Sequence, residues 1–355
     1  MSRLTCLRHR GIARSWLTGV YLLLLVTTPA AGVDVAPGLQ AEVVVTNVPR
    51  PVQVALDGAR RLVILSHGRQ GDAAAELYRV DVQMVPVDAA RQPHVVIPFS
   101  TGPRKAAFGS LAVDPRSGDL FLGEENGNRI YRLGARDELT LFGVGLNHLL
   151  GGSSLTFERD GRLVVVDYTS PEEELRSEAP PPASFEWLSG DAYQGPVVIR
   201  LDPEENVPLP RRLSVVAPLL PKGAVRRPEV EPLYRFISVA TTASGEIVLL
   251  DSVGQVHVLA SDGSLRPFAR LPSGHYHRTH MAVGPDGSVF VSSGFQIRRI
   301  YRISPTGLVT VIASDLGDPE GIAVDDAGDL YVTENALHRV IRIRPVLTPP
   351  RAWPR

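Results

Sequence analysis

Cysteine is almost absent. The chain of 355 residues has one, Cys6, and it lies in a segment that reads as removed on export. A mature chain without cysteine has no disulfides, no thiolate metal ligands and no cysteine nucleophile. Net charge is equally scarce: 37 Lys and Arg against 38 Asp and Glu leave −1. No global field therefore draws in nucleic acid, and no nucleic-acid partner is expected. Helix-period patterns are nearly missing beyond residue 35. There is no Walker loop, no G-x-S-x-G elbow, no HExxH and no CxxC, so no motif names a reaction.

Turn residues are plentiful, with 32 Gly and 30 Pro, and between them runs a phrase that returns six times. Its cleanest copy is GIAVDDAGDLYVTENALHRVIRI, Gly321 to Ile343. Others begin at Gln53, Ser110, Ser154, Ser238 and His280. Each is an apolar strand, a tight Asp/Gly turn, a second apolar strand, a polar loop and a third strand. A strand-only repeat of about 40 residues predicts an all-β protein built as a β-propeller of four-stranded antiparallel blades. Outer fourth strands are expected at His94–Phe99, Leu139–Val144, Arg212–Ala217, Leu265–Leu271 and Leu308–Ala313. The last blade has none downstream, because RPVLTPPRAWPR is too rich in proline to hold a ladder. The missing strand is AEVVVTNV, Ala41 to Val48, so the N-terminal strand should pair into the C-terminal blade and close the ring. Six inner triplets and six outer strands agree on six blades. A seventh could hide only between the third and fourth copies, where one outer strand and one third strand (Pro196 to Leu201) are legible.

The ends lie outside this scheme. Arg3, Arg8, Arg10 and Arg14 precede a short apolar run, Trp16 to Val26, and the small residues Thr28 to Gly32. The pattern reads as a secretory signal peptide over residues 1–32, with an uncleaved anchor as the alternative. The propeller would then occupy 33–346, with a Pro-rich tail at 347–355. A secreted or periplasmic monomer without stable membrane insertion is expected; absence of disulfides leans towards the bacterial case.

The phrase G-I-A-V-D-x-x-G-x-L-Y-V-T-(D/E)-x-x-x-x-R-(I/V) at Gly321–Val340 resembles the NHL repeat. It is also similar to repeats of the senescence-marker/gluconolactonase and strictosidine-synthase-like six-bladed propellers. The resemblance covers nearly the whole mature chain, and the matching residues are mostly structural. It implies a divalent cation, calcium or zinc, held by Glu, Asn and Asp just before the small residues that start inner strands. The corresponding residues here are Val52, Gly109, Ser153, Ile237, Thr279 and Glu320. Only Glu320 is an obvious ligand, so the three-oxygen cage is not completed by these positions alone.

In such a ring the turns between first and second strands lie on one face, and here they are short. The loops between second and third strands and from each outer strand to the next inner strand lie on the other face, and two are long: Tyr168 to Gly195 and Ala217 to Arg235. The first is acidic and then aromatic, a candidate lid carrying Trp187. The loop SGHYHRTH brings His275, His277 and His280 to the entrance of blade five, beside Arg278. Glu320 stands at the entrance of blade six. Glu320, His280 and His277 are the candidate catalytic residues, and Glu320 with His280 the candidate metal ligands, because a carboxylate beside imidazoles can hold a metal or share a proton. His67, His148, Asp167, Trp187, Asp251, His275, Arg278 and Glu334 are the candidate ligand-binding residues. Glu124, Asp167, Asp251 and Glu334 recur at the ends of second strands, which also suits acceptors for loop N–H groups. Arg79, Arg132, Arg200, Arg302 and Arg342 recur on third strands, which suggests hydrogen bonding between blades. Two functions remain open. One is an exported propeller binding a small polar or anionic ligand, a lactonase-like metal-assisted hydrolase. The other is a non-catalytic scaffold for a protein or glycan.

Overall fold

The computed structural model describes residues 32–71, 74–82, 86–99, 107–125, 127, 129–144, 155–169, 195–204, 211–212, 215–218, 236–260 and 264–346. Residues 1–31 and 347–355, and with them His148 and Trp187, lie outside the described residues. Among the described residues no helix is long and apolar enough to cross a membrane.

The alternation of apolar and polar residues along each copy puts one side chain in two against a neighbouring sheet, and the sheets follow from it. There are six, each built on four antiparallel strands. Blade one is Pro51–Leu56, Leu62–Ser66, Ala74–Val80 and His94–Pro98. Blade two is Ala107–Val113, Leu120–Glu125, Arg129–Leu133 and Leu139–Val144. Blade three is Leu155–Phe157, Leu163–Thr169, Gly195–Leu201 and Val215–Pro218. Blade four is Phe236–Thr241, Ile247–Asp251, Gln255–Leu259 and Leu265–Arg270. Blade five is Met281–Val283, Val289–Ser292, Ile300–Ile303 and Val309–Ser314. Blade six is Pro319–Val324, Leu330–Glu334 and Arg339–Pro345, completed by the N-terminal strand Leu39–Thr46.

The ring is therefore closed by the N-terminal strand, in register from Leu39 opposite Pro345 to Val45 opposite Val340. The core is not one mass but six apolar seams, one between each pair of adjacent blades. The sixth joins Val44, Val45 and Tyr331 of blade six to Leu62, Ile64 and Tyr78 of blade one. Every blade is held by two seams, which makes closure a condition for the whole ring.

Three details depart from the sequence expectation. Short fifth strands flank blades five, two and six: Asp34–Val35, Arg211–Arg212 and Val87–Asp88. Arg212, expected in the outer strand of blade three, pairs instead in parallel with Val144 of blade two. The third-strand arginines mostly serve their own blade. Arg132 binds Asp119 at 2.6 Å, Arg200 binds Glu158 at 2.8 Å, Arg302 binds Asp286 at 2.8 Å, and Arg342 pairs with Glu42. Each thus ties a third strand to a carboxylate of the same sheet. Among the described residues two of the five cross a seam: Arg79 to Asp137 at 2.7 Å and Arg132, by a second contact, to Glu204 at 3.0 Å.

The short hairpins form as their sequences require. Asp325 Oδ1 accepts from the N–H of Ala327 and of Asp329, both at 2.9 Å, while Gly328 takes φ +84. At the other end of the inner strands the ladder is irregular. Bulges interrupt the register between Pro51 and Gln53, Phe108 and Ser110, Phe236 and Ser238, and Pro319 and Ile322. A bulge re-aims side chains, and here the bulges sit at the loop-face mouth of the axis.

Candidate functional site

The axis has two ends of different character. At the hairpin face, all six inner strands line a funnel of about 390 Å³, ringed by Ala55, Ala112, Thr156, Ala240, Ala282 and Ala323. At the loop face the axis is crossed by side chains. His280 leaves the entrance of blade five and reaches the opposite blade two, its Nε2 3.4 Å from the Gly109 carbonyl. Its Nδ1 lies 3.0 Å from the Glu320 carbonyl, close enough for Nδ1–H to donate there. Ser292 fixes the ring from behind: its hydroxyl accepts from the His280 N–H at 3.0 Å and donates to the same Glu320 carbonyl. Burial pushes the His280 imidazole down to about 4, so it is neutral at pH 7.

Above this plug Arg278, also from the entrance of blade five, links blade six to blade two. Its Nη1 is 3.5 Å from Glu320 Oε1 and its Nε is 3.5 Å from Glu125 Oε1. Glu125 Oε2 is in turn 3.9 Å from His67 Nε2, and that nitrogen donates to the Phe108 carbonyl at 2.9 Å. Burial holds the His67 imidazole below its ordinary value. Asp318 faces the same guanidinium; burial raises its carboxyl, against the pull of Arg278 and His277. Three carboxyl groups thus surround one guanidinium. Glu320 is 1% exposed. Burial, followed by the negative fields of Asp318 and Glu125, pushes its carboxyl up to about 8 in spite of Arg278. Glu320 therefore carries a proton at neutral pH. The centre also holds unused hydrogen-bonding capacity: Arg278 Nε, Thr279 Oγ1 and Asp318 Oδ1 are buried without a hydrogen-bond partner.

The sequence-derived candidates fall into three groups. Glu320, His280, Arg278 and His67 come together at this centre. His277 and His275 are exposed on the loop beside it. The third group has its carboxylates engaged by nearby backbone and side chains. Asp251 Oδ1 accepts from the N–H of Val253 at 3.0 Å and Gln255 at 2.8 Å, and Oδ2 faces His257 at 3.4 Å. Glu334 accepts from Gly317 N–H at 2.7 Å and binds Arg339. Asp167 is likewise a buried strand-end carboxylate with interactions of its own.

Sequence reading passed over Glu125 and Asp318. The cue for Glu125 was the doublet Glu124-Glu125: alternation along a strand sends neighbouring side chains to opposite faces, so one of the two had to face a different way from the recurring Glu124. Gly109 leaves room for it, since a Cβ there would stand 3.1 Å from Glu125 Cβ. The cue for His280 was its slot. The equivalent residues of the other copies are Gln53, Ser110, Ser154, Ser238 and Gly321, and a ring in that register reaches further across the axis.

No family model matches the chain, and no curated protein sequence matches it. Solved structures do. A gluconolactonase from Xanthomonas campestris superposes with a TM-score of 0.57 at 16% identity, covering 90% of this chain and 97% of that one. The shared fold is the six-bladed β-propeller. The pyranose dehydrogenase PQQ domain of Coprinopsis cinerea gives a TM-score of 0.59 at 11% identity, over 89% of this chain and 98% of that one. A catalytically inactive variant of virginiamycin B lyase from Staphylococcus aureus, solved with quinupristin, gives 0.53 at 10% identity, over 88% and 100%. Three different chemistries on one ring leave the reaction to be argued from the site.

The divalent cation implied by the resemblance does not fit the residues present. Calcium needs six or more oxygens at about 2.3–2.6 Å. Among the described residues no three His, Asp or Glu stand close enough together to hold a metal. Both ring nitrogens of His280 face carbonyl oxygens. The place between Glu125 and Glu320 is taken by a guanidinium.

Proposed function

We propose that the protein is an exported six-bladed propeller that binds a small hydroxylated acyl compound at the loop-face centre and hydrolyses it, as a lactonase does. The observation that carries the reading is the pairing of a proton-bearing Glu320 with Glu125 across one guanidinium. A buried carboxyl that keeps its proton beside a second carboxyl group can serve as acid where its neighbour serves as base. Arg278 would hold the acyl oxygen and stabilise the negative charge that develops on it. Glu125 would take a proton from the attacking water as the new C–O bond forms. Glu320 would give its proton to the ring oxygen as the acyl C–O bond breaks, leaving a hydroxy acid. The unpartnered Asp318 Oδ1 and Thr279 Oγ1 suit a ligand hydroxyl. Export rests on the basic and apolar N-terminal segment, and N-terminal sequencing of the exported chain checks it.

The test is turnover of a panel of five- and six-membered lactones by the mature protein. The reading expects hydrolysis of some members and its loss in Glu320→Gln with the fold intact. No hydrolysis and no saturable binding of the corresponding hydroxy acids, in a folded protein, would contradict it. That result would favour the scaffold reading, which one observation supports. Val253, Phe295 and Leu337, in the loops between second and third strands of blades four, five and six, are all exposed on the same face.

A further inference from the structure

We infer that Arg278 is a built-in replacement for the divalent cation implied by the fold's resemblance, its guanidinium filling the space between Glu125 and Glu320 and closing it to metal. The two carboxyl groups come from the blades on either side of blade one, one from the second strand of blade two and one from the entrance of blade six. They approach each other only through the guanidinium, at 3.5 Å to Nε and 3.5 Å to Nη1. Arg278 reaches that place from a left-handed backbone position, φ +51, which a non-glycine residue adopts only where the surroundings hold it. Among the described residues its acidic neighbours are Glu125, Glu320 and Asp318. Gly109 keeps the opposite wall clear for Glu125. The arrangement is a carboxylate cage with its cation supplied by the chain.

A guanidinium and a metal ion are not equivalent centres. The guanidinium is permanently charged and offers hydrogen bonds in a fixed plane. It holds a carbonyl or carboxylate oxygen, does not exchange with solvent ions and cannot be stripped by a chelator. Removing it leaves buried carboxyl groups with no cation among them, which a metal can enter by displacing their protons. The inference does not depend on the lactonase reading, because its test measures metal and not turnover.

The experiment titrates the full mature protein, stripped with EDTA and dialysed, with Ca²⁺ and with Mn²⁺ by calorimetry. Arg278→Gly is measured alongside, since glycine accepts φ +51 without strain. Wild type is expected to show no saturable site. Arg278→Gly is expected to gain one, with apparent affinity raised by about one to two orders of magnitude as the resident positive charge is removed. Adding Glu320→Gln to Arg278→Gly should abolish the gain. A stoichiometric divalent ion in the wild type overturns the inference, as does a folded Arg278→Gly that binds no metal. If Arg278→Gly does not fold, the wild-type titration decides alone.

Discussion

Replacing Glu320 by glutamine should make the protein more stable at neutral pH. The side chain is buried, and its carboxyl is held up to about 8 against 4.5 in an unexposed-to-field reference. Below about pH 4.5 the carboxyl is protonated in both folded and unfolded chains and costs nothing. Above that, the unfolded chain ionises freely while the folded chain must keep the proton. Stability therefore falls as pH rises, and the fall ends once the folded site also ionises near 8. At about 1.4 kcal/mol per pH unit, the loss is roughly 3 kcal/mol at pH 7 and ~5 kcal/mol above pH 8. Glutamine has nearly the shape of the neutral carboxyl, accepts from Arg278 through its carbonyl and never ionises. Urea unfolding at pH 5, 7 and 9 measures the difference. The variant should match wild type near pH 5, exceed it by roughly 3 kcal/mol at pH 7 and exceed it further at pH 9, while losing any hydrolytic activity. A variant less stable than wild type at pH 7, with the same pH slope, would refute a neutral Glu320.

His280 acts on the acid side: its imidazole is depressed from 6.5 to about 4. It should cost stability as pH falls from about 6.5 towards 4, a loss that His280→Gln removes in the same unfolding series. Val45 is fully buried in the closing seam, so Val45→Asp should destabilise by several kcal/mol, roughly the loss of a buried valine plus an unpaired buried charge. It should also broaden the thermal transition, and an unchanged melting curve would argue against closure as the condition for the ring. Asp251→Ala removes two backbone acceptor contacts and should cost about 1–3 kcal/mol with ligand binding unchanged, a split that calorimetry and thermal melting together resolve. Gly109→Ala should do the reverse, displacing Glu125 and weakening ligand binding with a small change in melting temperature.

The architecture could be read from the sequence because it repeats. Six copies of one strand–turn–strand phrase average out local ambiguity, and the Pro-rich end forced the ring-closing strand to the N-terminus, where Leu39–Thr46 does complete blade six. The short edge strands escaped notice because two-residue pairings such as Asp34–Val35 with Val309–Ser314 leave no period. The site was legible only in part. Glu320, His280 and Arg278 stood out because they break the repeat at blade entrances. Glu125 did not, because it sits beside a recurring strand-end carboxylate and is distinguished only by which way it points. The cross-axis partnership of blades two and five, 171 positions apart at His280 and Gly109, is a property of ring geometry that no local pattern encodes. The metal expectation failed to fit for the same reason. Arg278 reads as an exposed loop charge until the ring places it between two carboxylates.

The central claim is that Glu320 holds a proton at neutral pH beside Arg278 and Glu125. Carboxyl ¹³C NMR of the mature protein labelled at glutamate, titrated from pH 4 to 10 and compared with Glu320→Gln, measures it directly. One glutamate should titrate near pH 8 in the wild type, and that resonance should be missing from the variant. A wild type in which every glutamate titrates below about pH 5, within the ordinary carboxylate range, would contradict the account.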